Sequence, residues 1–286
     1  MNLQIKDFFD PATFTITYVV YDGDTRDALV IDPVMDYDSA ASKVSFQSVE
    51  LVSQFIDSHH LKVHFILETH AHADHLSGSQ ALKKRYPQAK VAIGSRIRDV
   101  QKLFKGIFNL HEDFKIDGSQ FDQLLEDGAN IKAGTINVKT IFTPGHTPAC
   151  ASYLIKDALF TGDALFMPDV GTGRCDFPAG SAKDLYDSIH GRLYELPDNT
   201  RVFVGHDYPQ GRTQVECQST IGAEKKNNIQ LKESTSKEEY VTARNQRDKN
   251  LAAPRLLLQS VQVNINAGSL PDEEKNGARY LKIPIR

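Results

Sequence analysis

The chain has 286 residues, with 33 Lys and Arg against 37 Asp and Glu, and a formal charge of −4 at neutral pH. Forty per cent of its residues are hydrophobic, enough to bury the core of one large domain. The mildly acidic balance argues against a nucleic-acid binder, which needs a basic stripe to neutralise phosphates.

The first ten residues carry Lys6, Asp7 and Asp10 and no apolar run behind a basic cluster, so they do not read as a signal peptide. No stretch approaches the 18 apolar residues needed to span a bilayer. Three scattered cysteines, Cys150, Cys175 and Cys217, form neither a CxxC pair nor a disulfide framework. A cytoplasmic protein with reduced thiols is expected.

Phe14 to Asp22 alternates β-branched and aromatic residues and reads as a strand. A turn at Asp22-Gly23-Asp24 and a second strand, Ala28 to Ile31, complete a hairpin. Val44 to His60 has a helical apolar period. Val63 to Leu67 is a short apolar strand, Leu76 to Tyr86 a helix ended by Pro87, and Val91 to Ile93 another strand. Residues 96–130 read as an irregular excursion. Short strands follow at Ile136–Phe142, Ala151–Ile155, Ala158–Phe160 and Val202–Val204, with a helix at Ala182–Tyr194 before the last. From about residue 213 the chain reads as a C-terminal extension, in which Gly222–Arg247 is charged and polar. Its stretch Lys232 to Glu239 reads as a solvated loop or helix start. Strands bracketed by helices indicate a layered α/β protein, expected to be one domain over residues 1–286.

Three of the ten histidines fall within six residues, in His70-Ala-His72-Ala-Asp74-His75. Imidazole and carboxylate are ordinary ligands of zinc and iron. The cluster follows a strand and precedes a helix, at the carboxyl edge of a sheet where ligands of open α/β sheets gather. His146, Asp163 and His206 follow three other strands, each directly after a glycine. Four strand ends with ligand-type residues point to a metal site. His59, His60, His64, His111 and His190 read instead as surface or hydrogen-bonded residues.

These seven residues permit two centres. Two adjacent metals bridged by Asp163 would hold a hydroxide for thioester or amide hydrolysis. One Fe(II) with two His and one carboxylate would leave open positions for substrate and O₂. The ligand types do not choose between them.

The motif Thr69-His-Ala-His-Ala-Asp-His75, with His146, Asp163, His206 and an Asp32 that ends a strand, resembles the five motifs of the metallo-β-lactamase superfamily over residues 14–208 or so. The resemblance implies an αββα sandwich with the metal at one edge of two facing sheets, and a structural role for Asp32. Finer features are similar to the persulfide dioxygenases, in particular to a longer bacterial branch. They are Ala73-Asp-His-Leu-Ser-Gly78, Gly171-Thr-Gly-Arg-Cys-Asp-Phe177, His206-Asp-Tyr208, Ala253-Pro-Arg-Leu-Leu257 and the tail Tyr280 to Arg286. Cys175 departs from the better-known members, which have Thr after the Arg.

That likeness implies one Fe(II) per chain held by His70, His146 and Asp163. His72, Asp74, His75 and His206 would orient the ligands or hold a second metal. The implied reaction is oxidation of glutathione persulfide by O₂ to sulfite and glutathione. Arg174 and Tyr208 are the expected substrate contacts, Arg174 because glutathione carries two carboxylates. Arg212, Arg244 and Arg255 read as solvated surface residues, and Cys175 as a small packing residue. A glyoxalase II-like hydrolase of S-acylglutathione is the alternative, and a catalytically silent persulfide or metal sensor the third reading. No nucleic-acid or membrane partner is expected; a homodimer is compatible with the fold.

Overall fold

A computed structural model of the chain describes residues 1–209 and 211–285. Arg286, which closes the tail signature, lies outside them. The first half of the chain contains β1 (Leu3–Asp10), β2 (Thr15–Asp22), β3 (Asp27–Ile31), β4 (Val34–Asp38), β5 (Lys43–Ser45), α1 (Gln47–Ser58), β6 (Lys62–Glu68), β7 (Leu76–Ser77), α2 (Ser79–Arg85), β8 (Lys90–Gly94), α3 (Ile97–Ile107) and β9 (Gln123–Leu125). The second half contains β10 (Asn130–Ala133), β11 (Ile136–Phe142), β12 (Ala151–Ile155), β13 (Ala158–Phe160), α4 (Ala182–Ser188), β14 (Arg201–Phe203), β15 (Gln218–Thr220), α5 (Ile221–Asn227), α6 (Lys237–Asp248) and α7 (Leu257–Asn264).

Each half builds one sheet. The first has the order β1-β2-β3-β6-β8-β9 and the second runs β10 to β15 in chain order. Strands joined by helices pair in parallel, as β3 with β6, β6 with β8, and β13 with β14 across α4. Hairpin-linked strands pair antiparallel, because only a tight turn is needed to reverse them. A small sheet, β5-β4-β7, caps one side.

The two-residue period of β2 and β3 shows why the layers stack. Ile16, Tyr18, Val20, Leu29 and Ile31 join the core between the sheets, beside Tyr153 and Phe160. Val19, Ala28 and Val30 face the other way, onto Val52 and Ile56 of α1, Leu82 of α2, Val100 and Phe104 of α3 and Val261 of α7. A strand buried on both faces needs helices outside, which gives the αββα sandwich. Two buried tyrosines tie the sheets across the core. Tyr18 donates to the Val204 carbonyl at 2.6 Å, and Tyr153 to that of Glu68 at 2.7 Å.

The 96–130 stretch departs from expectation. It opens with α3, whose Ile97, Val100 and Phe104 are buried at helical spacing, and β9 extends the first sheet. Only the turns between them are irregular. The expected 182–194 helix is α4 followed by a π-helical turn at Ile189–Leu193. The helix start read in 232–239 is the capping box of α6, where Ser236 accepts from the Glu239 N–H and the Glu239 carboxylate accepts from the Ser236 N–H. Strand β1 pairs with β2 along its whole length and was not anticipated. Among the described residues no helix is long and apolar enough to cross a membrane.

Candidate metal centre

The loops after β6, β11, β13 and β14 converge on one edge of the sandwich. They bring together His70, His72, Asp74 and His75 from the first sheet with His146, Asp163 and His206 from the second. All but Asp74 are buried. Gly162 turns the chain into Asp163 at φ +50°, and a Cβ there would stand 2.5 Å from the Thr69 hydroxyl.

One donor atom each from His70, His146 and Asp163 lies within 4.8 Å of the other two. The Nε2 atoms of His146 and His70 are 3.5 and 4.0 Å from Asp163 Oδ2. Both rings are fixed from behind. His146 Nδ1 donates to the Arg174 carbonyl at 2.6 Å. Thr69 Oγ1 donates to Asp32 Oδ2 at 2.8 Å, so it can only accept from His70 Nδ1, 3.0 Å away. With the Nδ1 protons committed, the Nε2 lone pairs face Asp163. Asp32 also accepts from the Thr69 N–H at 2.7 Å.

A second group comprises His72, Asp74 and His75, again within 4.8 Å of one another. His206 Nε2 adjoins it, 3.4 Å from Asp74 Oδ2 and 3.2 Å from Asp163 Oδ1. His72 Nε2 lies 3.1 Å from Asp32 Oδ1 and 3.3 Å from Glu68 Oε2, and neither of its ring nitrogens makes a hydrogen bond. Glu68 escaped the sequence reading. It is a buried carboxylate that also accepts from the hydroxyls of Ser77 and Ser79. An acidic residue ending an otherwise apolar strand was the available signal.

Burial of this set without a partner is costly. His70 Nε2, His72 Nδ1 and His75 Nε2 have no hydrogen-bond partner, and each such atom costs about 1–3 kcal/mol. A cation would satisfy these lone pairs, so the residues fit a metal, and imidazole with carboxylate suits zinc or iron. Burial, reinforced by the neighbouring His72, holds His70 well below the usual imidazole range, in the neutral form that can ligate. Burial opposes ionisation of Asp163, but His206, His70 and His146 outweigh it and keep the carboxylate ionised. Burial likewise opposes charge on His206, yet Asp163 and Asp74 push it up to about 9.

A cleft of about 270 Å³ opens beside His146 and Asp163, lined by Phe14, Tyr37, Arg174, Tyr208 and Arg255. Tyr208 stacks on His206 at 5.7 Å between centroids and meets Phe14 at 5.5 Å. Arg174 makes two 2.6 Å bonds to Asp176 and one of 2.8 Å to the Ala252 carbonyl. The expected substrate contacts therefore both line the cleft, with the Arg174 charge shared by Asp176.

One arginine differs from expectation, and a second is exposed as expected but sits at the cleft. Arg255 lies on the cleft wall, where it donates to Ser39 Oγ. Arg244 is only 3% exposed and paired with buried Asp248. The charged helix α6 hid the burial of Arg244, since an Arg four residues before an Asp is the pattern of a surface pair. Arg212 is tied to Asp207 and Asp169. Cys175 is buried among core residues and burial pushes its thiol well up, in keeping with a packing role.

The sequence model described as the metallo-beta-lactamase superfamily matches residues 12–206. The chain belongs to that superfamily. It is 44% identical over 283 residues to Glyoxylase B2 of Dictyostelium discoideum, covering 99% of this chain and 97% of that one. It is 31% identical over 268 residues to the human mitochondrial persulfide dioxygenase ETHE1, covering 93% and 89%. The crystal structure of ETHE1 from Myxococcus xanthus superposes with a TM-score of 0.73 at 32% identity, covering 93% of this chain and all of that one. The family model and the structural superposition both support the metallo-β-lactamase fold.

Proposed function

We propose that this metallo-β-lactamase-fold protein is a persulfide dioxygenase that oxidises glutathione persulfide with O₂ to sulfite and glutathione, using one Fe(II) held by His70, His146 and Asp163. The observation that carries the reading is the trio itself. Two imidazoles with their Nδ1 protons already committed, and one carboxylate kept ionised, face a common point beside the cleft. Two His and one carboxylate is the donor set of non-haem Fe(II) oxygenases. The human and Myxococcus relatives, matched over nearly the whole chain, support the same reading.

Bound iron would supply the open positions at which a soft persulfide sulfur and O₂ meet. The protein does the rest. The Arg174 carbonyl and the Asp32–Thr69 pair hold the two imidazoles in the ligating tautomer. Phe14 and Tyr208 wall the cleft with aromatic surface. Arg174 and Arg255 place cationic groups where the substrate's carboxylates would lie. No cysteine nucleophile is required.

Oxygen uptake on adding glutathione persulfide to protein reconstituted anaerobically with Fe(II), with iron counted per chain, tests the reading. Rapid uptake at one iron per chain is the expected result. Absence of uptake from fully loaded protein would overturn it. The second reading, hydrolysis of S-acylglutathione thioesters by two metals, draws on the His72, Asp74 and His75 group and on the likeness to Glyoxylase B2. Two tightly held metals per chain, with O₂-independent thioester loss, would establish it instead.

A further inference from the structure

The turn at residues 170–175 lies between β13 and α4 and outside regular structure, so its backbone groups need partners from elsewhere. Residues 164–167 satisfy the Val170, Gly171 and Gly173 N–H groups, and the C-terminal extension partners others. Gln230 donates to the Val170 carbonyl at 2.8 Å and Asn228 to that of Gly171 at 3.1 Å. Gln230 Oε1 accepts from the Thr172 N–H and hydroxyl at 3.3 and 3.1 Å. Arg244 donates to the Thr172 carbonyl at 3.2 Å and to Gln230 Oε1 at 2.7 Å. Asp248 accepts from the Cys175 N–H at 2.8 Å, and its other oxygen pairs with Arg244.

The opposite side of the same turn meets the metal centre. The Arg174 carbonyl takes the His146 Nδ1 proton, and Gly173 packs so closely that a Cβ there would stand 1.9 Å from the Asp163 carbonyl oxygen. The turn is thus clamped between two candidate ligands and α6. A buried ion pair is weak evidence for stability as such, because desolvation offsets its attraction. Arg244 and Asp248, at 3% and 5% exposure, nevertheless each make one hydrogen bond to the backbone of this turn.

We propose that Arg244, Asp248 and Gln230 are positioning residues. Through the 170–175 turn they hold His146 and Arg174 in place, so that the extension, which lies beyond the family match at residue 206 and among the described residues gives the centre no ligand, sets its metal affinity. The proposal rests on the metal centre assigned above and is independent of the reaction performed there.

The test compares Arg244→Met, Asp248→Leu, the double variant and Gln230→Ala in the full-length protein. Co(II) affinity is read by chelator competition, the Co(II) absorption spectrum reports ligand geometry, and thermal unfolding reports stability. Each single ion-pair variant leaves an uncompensated buried charge and should lower the melting temperature. The double variant should recover much of that loss while binding Co(II) roughly ten- to hundredfold more weakly, with a shifted spectrum. A purely structural role would move melting and affinity together. A folded double variant with unchanged Co(II) affinity and spectrum would overturn the proposal. Should the double variant not fold, Gln230→Ala decides. Half-buried Gln230 touches the turn at three points, and its loss should weaken Co(II) binding about tenfold; unchanged binding would be a refutation. No substrate is added, so either outcome leaves the assigned reaction to its own assay.

Discussion

His146 Nδ1 lies 2.6 Å from the carbonyl oxygen of Arg174, so a single hydrogen bond joins a candidate metal ligand to the residue that faces the cleft. The bond fixes which imidazole nitrogen carries the proton, and it makes the position of Arg174 and the orientation of His146 one structural fact.

Replacing His146 by Ala removes one of three ligands on the proposed iron face. Iron retained after desalting should fall at least tenfold, measured by elemental analysis, and O₂ uptake with it. His206→Ala should retain iron, because His206 stands outside the trio, and full loss there would point to the two-metal reading.

Thr69→Val keeps the shape of the side chain and removes the hydroxyl between Asp32 and His70. His70 then loses the acceptor that selects its tautomer. Metal affinity should weaken roughly tenfold, with two carboxylates, Asp32 and Glu68, still in place. Titration with Co(II) in the presence of a competing chelator measures it.

Arg174→Ala removes a guanidinium from the cleft wall but keeps the backbone carbonyl that serves His146. The value of kcat/KM for glutathione persulfide should fall about 10- to 100-fold, or roughly 1.4–2.8 kcal/mol, with iron content unchanged. Arg174→Lys should recover only part, since Lys cannot reproduce the paired bonds to Asp176. A loss confined to kcat with unaltered KM would argue against a contact made in the ground-state complex.

Glu224 lies away from the metal, fully buried on α5, and burial pushes its carboxyl up to about 7 from an ordinary value of 4.5. A raised carboxyl favours the neutral form in the fold. Its stabilising contribution is therefore complete below pH 4.5 or so and is lost as pH rises through 7. At ~1.4 kcal/mol per unit the loss is on the order of 3 kcal/mol. Glu224→Gln keeps a neutral side chain at every pH. The stability difference between the two proteins, from urea unfolding at pH 4.5 and 8, should shift toward the variant at the higher pH.

The candidate ligands were legible because their residue types are rare and their place after strands is fixed by the period of those strands. Val63 to Leu67 announces β6, and the histidines follow where the chain must leave the sheet. The alternation of Phe14 to Asp22 likewise marks β2 as a strand. Other features were hidden because they are made by distant partners. Lys6 and Asp7 break the apolar pattern of β1, which exists through its pairing with β2. Arg244 sits in a helix of low apolar content, and only the turn packed against it shows that it is buried. Glu68 resembles a strand-end surface acid until Ser77, Ser79 and His72 are seen around it.

Each half of the chain contributes one sheet, and His70 comes from the first while His146 and Asp163 come from the second. Neither half owns all of the His70, His146 and Asp163 trio, so an ion held there would act as a clasp across their seam. Metal content is then a gauge of tertiary integrity: any lesion that lets the sheets part, however far from the edge, should be visible first as a drop in occupancy, before the bulk of either sheet has melted.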